Sequence, residues 1–463
     1  MRIYSVPDVR FLFVTIQGFE SEFYGRTGAE LRARGHDVVH LTYSRLAARL
    51  LREDGFDARS LKDVLDELDI DIAAEARRIN DQYGVEAITD AYRTDPPAER
   101  RSPAWCRDRA VRHFVAMERL FDEVEPGVLV PEVGSELIRT VAHLVALERD
   151  IPTLFLFYTI FPRPLRLYID TMHAPIVPPD ELRELTEEER AQVDQFRRSF
   201  TERAEPIRTH RRPGVTRRRI RRLAMYTKAR VGEDRDNEYL RPETWLVEQA
   251  IELPRRLAAR VLYARPEADR PFVYFPLHMT DDYKIKRVIP QWVDQAAVVD
   301  QVADSLPAGY DLVVKEHPMS IGRNQLAFLR RLMRRRNVRL VPPQTGSHDL
   351  IRAAAGVAVI SSTVGLEALL YRKPVLTMGR PFYSGYGVTL DIDSLSEIPD
   401  AVRQLLRFNP EREQIDRLLH AAMRRCHAGA PVLIDDSDAN AARLADSLGA
   451  AANSLNRTRA ALA

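Results

Sequence analysis

The sequence predicts an α/β protein in which short, buried, parallel strands alternate with helices. Apolar runs at residues 312–314, 357–360 and 375–378 each end in polar residues or glycine, and helical sequence follows each of them. Short apolar runs bounded in this way are typical of strands buried in a parallel sheet. A similar alternation begins near residue 11, and a chain of 463 residues is too long for one ordinary core. We therefore predict two Rossmann-like domains that face each other across a cleft.

The composition indicates a globular protein without a disulfide framework. Hydrophobic residues make up 45% of the chain and charged residues 29%, while the formal net charge is only +2. Such a small net charge argues against bulk nucleic-acid binding, and two cysteines are too few for a cysteine metal site. No apolar run approaches the roughly 18 residues of a membrane span, and the first residues lack a signal-peptide core. We expect a cytoplasmic protein that holds no metal.

The first part of the chain predicts an amino-terminal Rossmann-like domain over residues 1–178. Its strands are expected at residues 11–16, 37–42, 127–131 and 153–157, and its helices at 23–34, 135–149 and over most of 45–123. Glu132 lies just beyond the third strand, and Asp170 closes the segment after the fourth. Because ligands bind outside the carboxyl ends of parallel strands, these acids are the candidates for a catalytic residue on this side of the cleft.

Residues 179–265 predict a helical, highly charged insert between the two domains. It contains a basic cluster that stands out in a nearly neutral protein. The members of this cluster are Arg208, Arg211, Arg212, Arg217, Arg218, Arg219, Arg221, Arg222, Lys228 and Arg230. One interpretation is a solvated helix face, and the other is attraction to anionic lipid headgroups or to an anionic glycolipid acceptor. Few aromatic residues interleave the cluster, which disfavours RNA binding.

The second Rossmann-like domain is expected over residues 266–410, and a helical tail over 411–463. This second domain carries polar residues where its strands end. The candidate donor-binding residues there are Lys315, His317, Pro318, Ser361, Ser362, Thr363 and Glu367. Hydroxyls and backbone N–H groups at a helix N-terminus form an anion site. The imidazole of His317 can donate to the same anion, Lys315 adds charge, and Glu367 is placed to accept from a ribose. These features predict a phosphate-binding site that needs no metal.

Several motifs of this half resemble those of the capsule polysaccharide biosynthesis family. They are Lys315-Glu316-His317-Pro318 with Gly322, Ser361-Ser362-Thr363-x-Gly365-x-Glu367, Lys373-Pro374, Gly379 with Tyr383, and residues 274–278. The resemblance covers roughly residues 270–390. It implies a GT-B fold whose last helices pack back on the first domain, and β-Kdo glycosyltransferase activity with CMP-Kdo as donor. It also implies a lipid-linked or capsule glycan as acceptor, and it adds His278 to the residues that hold the donor.

The same resemblance bears on the catalytic residues of the first domain. Arg163 and Asp170 match a family segment, which ranks Asp170 before Glu132 and assigns Arg163 to the donor carboxylate. Residues 158–160, Tyr-Thr-Ile, stand where related members carry an acidic pair. Three alternatives therefore stay open. They are a CDP-glycerol-type glycerophosphotransferase, a UDP-sugar enzyme, and a non-catalytic capsule assembly or binding protein that keeps the cleft.

Charge reversal at Arg217, Arg218 and Arg219 tests whether the basic cluster binds the inner face of a membrane. Each basic residue near an anionic membrane surface contributes about 1 kcal/mol to binding. We expect the triple Glu variant to co-sediment with anionic vesicles less than the wild type does, and neither protein to sediment with neutral vesicles. Equal co-sedimentation of the two proteins with anionic vesicles would make the cluster a solvated helix face.

Overall fold

The computed structural model of the protein describes residues 9–16, 18–204, 217–240, 242–264, 269–279 and 282–462. Two parallel sheets, each packed between helices, form the two halves of the molecule. The predicted α/β fold, with two Rossmann-like domains across a cleft as in GT-B proteins, is confirmed. We refer to the halves as the amino-terminal and carboxyl-terminal domains.

The sheet of the amino-terminal domain has four parallel strands in the order β3-β2-β1-β4. They are β1 (Arg10–Thr15), β2 (Asp37–Thr42), β3 (Asp57–Ser60) and β4 (Val128–Pro131). Their residues are mostly buried, as in parallel sheets whose two faces are covered by helices. Those helices are α1 (Gly18–Ala33), α2 (Arg45–Glu53), α3 (Leu61–Asp66), α4 (Ile72–Tyr83), α5 (Ala87–Tyr92), α6 (Pro103–Val124) and α7 (Leu137–Glu148). The sequence does not predict β3, because its four residues contain no apolar run.

Two further strands of this domain, β5 (Leu154–Tyr158) and β6 (Leu165–Ile169), form an antiparallel hairpin. A parallel bridge between Leu129 and Thr153 joins the start of this hairpin to β4. The predicted strand after residue 153 is therefore confirmed. Its partner β6 is missing from the prediction, because the proline-rich turn before it obscures the strand pattern.

The insert forms three helices in the part of it that the structure describes. They are α8 (Glu187–Arg203), α9 (Arg217–Val231) and α10 (Pro242–Ala259). Of the basic cluster, Arg217, Arg218, Arg219, Arg221 and Arg222 fall in the first turns of α9. Arg208, Arg211 and Arg212 lie outside the described residues.

These helices alternate between the two domains instead of forming a unit of their own. The α8 helix shares a buried core with the carboxyl-terminal domain. The α9 helix contacts the amino-terminal domain, where the Phe19 N–H donates to the Tyr226 hydroxyl at 3.1 Å. The α10 helix returns to the carboxyl-terminal domain, where Nε of Arg256 donates to the Ile321 carbonyl at 3.0 Å. The chain therefore crosses between the domains several times.

The carboxyl-terminal domain holds a six-stranded parallel sheet in the order β12-β11-β10-β7-β8-β9. Its strands are β7 (Phe272–Pro276), β8 (Asp311–Lys315), β9 (Val338–Val341), β10 (Gly356–Val359), β11 (Val375–Thr377) and β12 (Leu390–Asp391). The covering helices are α11 (Gln295–Ser305), α12 (Leu326–Leu332), α13 (Ser347–Ala353), α14 (Thr363–Leu370) and α15 (Ile398–Leu405). From β7 the sheet grows outward in both directions, so the strand order reverses between β7 and β10. Ligands of doubly wound sheets bind at such a switch point.

The two final helices, α16 (Arg412–Arg424) and α17 (Asp438–Leu462), divide between the domains. The α16 helix packs into the core of the carboxyl-terminal domain, so the expectation that the last helices pack on the first domain is wrong for it. The α17 helix does cross back and packs along α1. Leu444 and Leu448 are fully buried there, in the same core as Leu31.

Truncation of Leu448 tests the contribution of α17 to the amino-terminal domain. Replacing a buried Leu with Ala costs about 2–5 kcal/mol, because the cavity adds to the lost burial. The ion pair Arg34–Asp446 on the surface beside it, at 2.7 Å, should contribute about 0–1 kcal/mol. We expect Leu448→Ala to lower the urea midpoint of unfolding clearly, and the control Arg34→Ala to lower it little. A wild-type midpoint for Leu448→Ala would contradict the packing of α17 on α1.

Candidate active-site cleft

Three loops meet where the strand order of the carboxyl-terminal sheet reverses. Because β10, β7 and β8 are neighbours, the loops that follow them lie side by side at one edge of the sheet. His278 follows β7, His317 follows β8, and Ser361 follows β10. The Ser361 backbone N–H donates to Nε2 of His278 at 3.1 Å, which ties the first of these loops to the third. The structure thus brings together three predicted donor-binding residues from distant parts of the chain.

His278 is held in place by two residues that the sequence analysis did not assign to the site. Its backbone N–H donates to Oε1 of Gln295 at 2.8 Å, and the Gln295 amide donates to its carbonyl at 3.3 Å. Because Nε2 accepts a hydrogen bond, the ring proton lies on Nδ1, 3.8 Å from Oδ2 of Asp282. Burial opposes the ionisation of Asp282, but His278 and Lys284 together outweigh burial and lower the pKa of Asp282. An ionised Asp282 therefore helps to orient the imidazole.

His317 is a neutral hydrogen-bond donor at the start of the turn Pro318–Ser320. Its Nδ1 accepts from the Met319 N–H at 3.2 Å, which leaves the ring proton on Nε2. Burial, with the neighbouring His278 adding to it, lowers the pKa of His317 to about 4. The ring is therefore uncharged near pH 7. Pro318 occupies the first position of the turn, where a missing N–H removes no hydrogen bond.

Lys315 and Glu367 are buried groups of opposite charge at this edge of the sheet. Nζ of Lys315 donates to Oγ of Ser347 at 2.8 Å, and burial lowers the pKa of Lys315. Burial raises the pKa of Glu367 to about 7, although the Thr363 hydroxyl and Lys315 act in the opposite direction. That hydroxyl lies 3.5 Å from Oε1 of Glu367. Glu367 is thus held close to the predicted phosphate turn, and its contact with a ribose stays a prediction.

The turn Ser361–Thr363 begins α14 and faces the cleft. Oγ of Ser362 accepts from the Val364 N–H at 3.2 Å, which is the hydrogen bond of a helix cap. The hydroxyl of Tyr383 donates to the Ser362 carbonyl. A Cβ at Gly365 would lie 2.2 Å from the Tyr383 hydroxyl oxygen. Only glycine leaves room for this ring, so the glycine of the motif allows Tyr383 to support the turn.

A cavity separates this turn from the β5–β6 hairpin of the other domain. Its walls include Tyr158 and Tyr168 from the hairpin, and Ser361–Thr363, Lys284 and Phe382 from the carboxyl-terminal domain. Lys284 begins a π-helical turn, and burial lowers its pKa. Such turns are frequent at functional sites. The sequence analysis missed Lys284 and Phe382, because neither follows a strand or belongs to a short motif with a known chemistry.

Two ion pairs beside Lys284 join the domains at this cleft. Nζ of Lys286 lies 2.6 Å from Oε1 of Glu99, and Nη2 of Arg287 lies 3.0 Å from Oδ2 of Asp90. Arg287 also donates to the Asp90 carbonyl at 3.0 Å. The π-helical turn is therefore fastened to the amino-terminal domain, although it belongs to the carboxyl-terminal one.

Glu132 lies at the corresponding switch point of the amino-terminal sheet, between β1 and β4. It is 5% exposed and accepts a hydrogen bond from the Tyr24 hydroxyl. Burial raises the pKa of Glu132 to about 7, with Glu20 adding to the rise while Tyr24 and Arg139 oppose it. Burial also raises the pKa of Tyr283, and the charge of Glu132 is close enough to add to that rise. Tyr283 belongs to the other domain, so the two domains approach each other near Glu132, which is itself buried and is not among the residues that line the cavity.

The structure places Asp170 and Arg163 away from this cavity. Asp170 is exposed at the end of β6, where its φ is 57° and its Oδ1 accepts from the Thr153 N–H at 2.7 Å. Because β6 runs antiparallel to β5, its end returns to the start of β5, opposite to Tyr158. Arg163 is exposed in the turn between the two strands. Neither position supports the catalytic or donor-binding role that the sequence predicts.

The described residues set further bounds on the site. Within them, no helix is both long enough and apolar enough to cross a membrane. The same ranges contain no cluster of three or more His, Cys, Asp or Glu side chains arranged to hold a metal ion. Cys106 and Cys426 are both buried, and no disulfide joins them.

Two relatives of this chain are described as capsule polysaccharide modification proteins. The capsule polysaccharide modification protein LipA of Neisseria meningitidis serogroup B is 27% identical over 143 residues, which are 31% of this chain and 20% of LipA. LipB of Neisseria meningitidis serogroup A is 30% identical over 109 residues, which are 22% of this chain and 25% of LipB. The chain therefore matches a quarter or less of the length of these two relatives.

One similar solved structure is KpsC of Thermosulfurimonas dismutans, described as a beta Kdo 2,4 transferase. It aligns with 18% identity and a TM-score of 0.40, over 64% of this chain and 79% of that chain. The family model described as capsule polysaccharide biosynthesis protein matches residues 172–430, more than half of the chain. That match contains His278, His317 and Ser361, and this chain belongs to the capsule polysaccharide biosynthesis protein family.

Proposed function

We propose that this protein is a glycosyltransferase of capsule polysaccharide biosynthesis that uses a CMP-activated acidic sugar, Kdo or a close relative, as donor. The observation that carries the proposal is the meeting of His278, His317 and Ser361 at the switch point of the carboxyl-terminal sheet. The acceptor is a lipid-linked or capsule glycan that enters from the amino-terminal side. The protein works at the inner membrane face, where the basic residues of α9 attract anionic headgroups.

The carboxyl-terminal wall is suited to hold the phosphate of the departing CMP. His317 presents Nε2–H as a neutral donor, and Ser361 and Thr363 present hydroxyls at the positive end of the α14 dipole. Preorganised donors of this kind stabilise the negative charge that builds up on a leaving group. Because the pKa of His317 is lowered to about 4, its protonation does not change across the neutral range.

The amino-terminal domain supplies the carboxylate that activates the acceptor. In the proposed reaction Glu132 takes a proton from the acceptor hydroxyl, while Tyr24 holds the carboxylate in place. A general base acts best when its pKa lies near the working pH, and burial raises the pKa of Glu132 to about 7. Glu132 thus replaces Asp170 as the first candidate for this role.

A second candidate function is that of a non-catalytic capsule assembly or binding protein. Tyr158 favours it, because this side chain lines the cavity in the position where related members carry an acidic pair. Incubation of the wild type with CMP-Kdo separates the two functions. Release of CMP in the presence of acceptor supports the enzyme, and tight donor binding without release supports the binding protein.

Replacement of His317 tests the proposed phosphate site. A hydrogen bond to a charged group contributes about 1.5–3 kcal/mol, so His317→Ala should weaken CMP binding by about ten- to a hundredfold in calorimetry. His317→Asn is the matched control, since its side chain can still accept from the Met319 N–H and keep the turn. We expect both variants to melt close to the wild type. Wild-type CMP affinity in His317→Ala would contradict the site.

Replacement of Glu132 tests the proposed base. We expect Glu132→Gln to bind CMP normally but to transfer sugar at least about a hundredfold more slowly, since general bases contribute about 10²–10⁴. The base acts only when ionised, so wild-type transfer should rise with pH up to about 7 and then level off. Asp170→Asn serves as the control and should retain full transfer. Normal transfer by Glu132→Gln would remove this residue from the mechanism.

A further inference from the structure

Arg166 is a buried cation beside the cleft to which no described residue supplies a carboxylate. It lies on β6 and is 1% exposed. Its Nη2 donates to the Pro175 carbonyl at 3.0 Å, whereas its Nη1 is buried without a hydrogen-bond partner among the described residues. A buried charge is strongly unfavourable unless it is paired and hydrogen-bonded. Half of this guanidinium fork is therefore available to an anion.

The pleat of the hairpin turns Arg166 toward the cleft. Leu165 and Leu167 pack into the core of the amino-terminal domain, so the residues between and beyond them face the other way. On that opposite face Arg166 has Phe157 as its cross-strand partner and Tyr168 two residues further along β6, and the rings of Phe157 and Tyr168 stack on each other. The rings of both line the cavity, and Cζ of Arg166 lies 5.8 Å from the Tyr168 ring centroid.

An aromatic side chain of the other domain packs against the guanidinium. Cζ of Arg166 lies 4.7 Å from the ring centroid of Phe382. Phe382 lines the same cavity as Ser361–Thr363. Phe382 therefore contacts both the guanidinium of Arg166 and the space into which a sugar attached to the phosphate would extend.

We propose that Arg166 binds the carboxylate of an acidic donor sugar, and so selects sugar nucleotides that carry a second negative charge. The inference rests on the proposed function, because it needs the donor phosphate at Ser361–Thr363. The phosphate and the carboxylate then bind at separate places, the first at the start of α14 and the second at the hairpin. Arg matches a carboxylate with two parallel hydrogen bonds, which a neutral sugar cannot provide. A site with a buried unpaired donor discriminates strongly against a ligand that leaves it unpaired.

The structure also shows why Arg166, and not Arg163, fits this role. Arg163 is three residues earlier in the same hairpin but is exposed in its turn. An exposed guanidinium stays hydrated, so the absence of an anion costs it little free energy. Arg166 has already been taken out of water by folding, so a bound carboxylate restores the pairing that burial removed.

The experiment compares CMP-Kdo with CMP by calorimetry on the full chain. We expect the wild type to bind CMP-Kdo more tightly than CMP. Arg166→Met should weaken CMP-Kdo binding about tenfold or more and leave CMP binding within about threefold, as loss of one charge-assisted contact predicts. Its melting temperature should be unchanged or higher, because Met fills a similar volume without a buried charge. Arg166→Lys keeps the charge without the planar fork, so its affinity for CMP-Kdo should lie between those of the wild type and Arg166→Met. The control Arg163→Met should bind both ligands normally.

Two results would overturn the inference while leaving the proposed function intact. One is a wild type that binds CMP-Kdo no more tightly than CMP. The other is an Arg166→Met variant that keeps its preference for CMP-Kdo, or that loses affinity for both ligands equally and melts lower, which would assign Arg166 a structural role. A wild type that binds neither ligand would instead overturn the proposed function itself.

Discussion

The contact between His278 and Ser361 is the constraint on which the cleft depends. Strands β7 and β10 pair only through Gly356 with Val273 and Val357 with Tyr274, near their amino ends. Beyond these pairs the ladder hydrogen bonds stop, and a crevice opens between the loops. The imidazole of His278 spans this crevice by accepting from the Ser361 N–H. It therefore fixes the position of the α14 N-terminus relative to the rest of the sheet.

The two walls of the cleft are held together by contacts between residues that are distant in sequence. The ion pairs of Lys286 with Glu99 and of Arg287 with Asp90 fasten the π-helical turn to the amino-terminal domain. The insert adds further crossings, because α9 lies on one domain while α8 and α10 lie on the other. Both walls of the cavity are thus held by side chains from both domains. A separation of the two domains at this point would break these partly exposed ion pairs, and such pairs are individually weak.

The fold and half of the candidate site could be predicted from the sequence for one physical reason. Buried parallel strands are continuous apolar runs, and the polar residues that follow them must lie at one edge of the sheet. This logic located His317 and Ser361 from single stretches of sequence. The same reasoning did not give the position of Asp170, because the direction of the chain after β5 depends on an antiparallel partner strand whose sequence has no alternating pattern. It also missed Asp282, which contacts His278 four residues earlier, and Arg166, whose environment exists only after the domains have packed together.

The packing of α17 on α1 makes the amino-terminal domain discontinuous in the chain. Its sheet is complete by residue 131, but part of the apolar surface of α1, around Leu31, is covered by side chains of α17 such as Leu448. During synthesis the ribosome releases α1 long before α17. This apolar surface of the first domain therefore waits for its partner helix while the more than four hundred residues between α1 and α17 are translated.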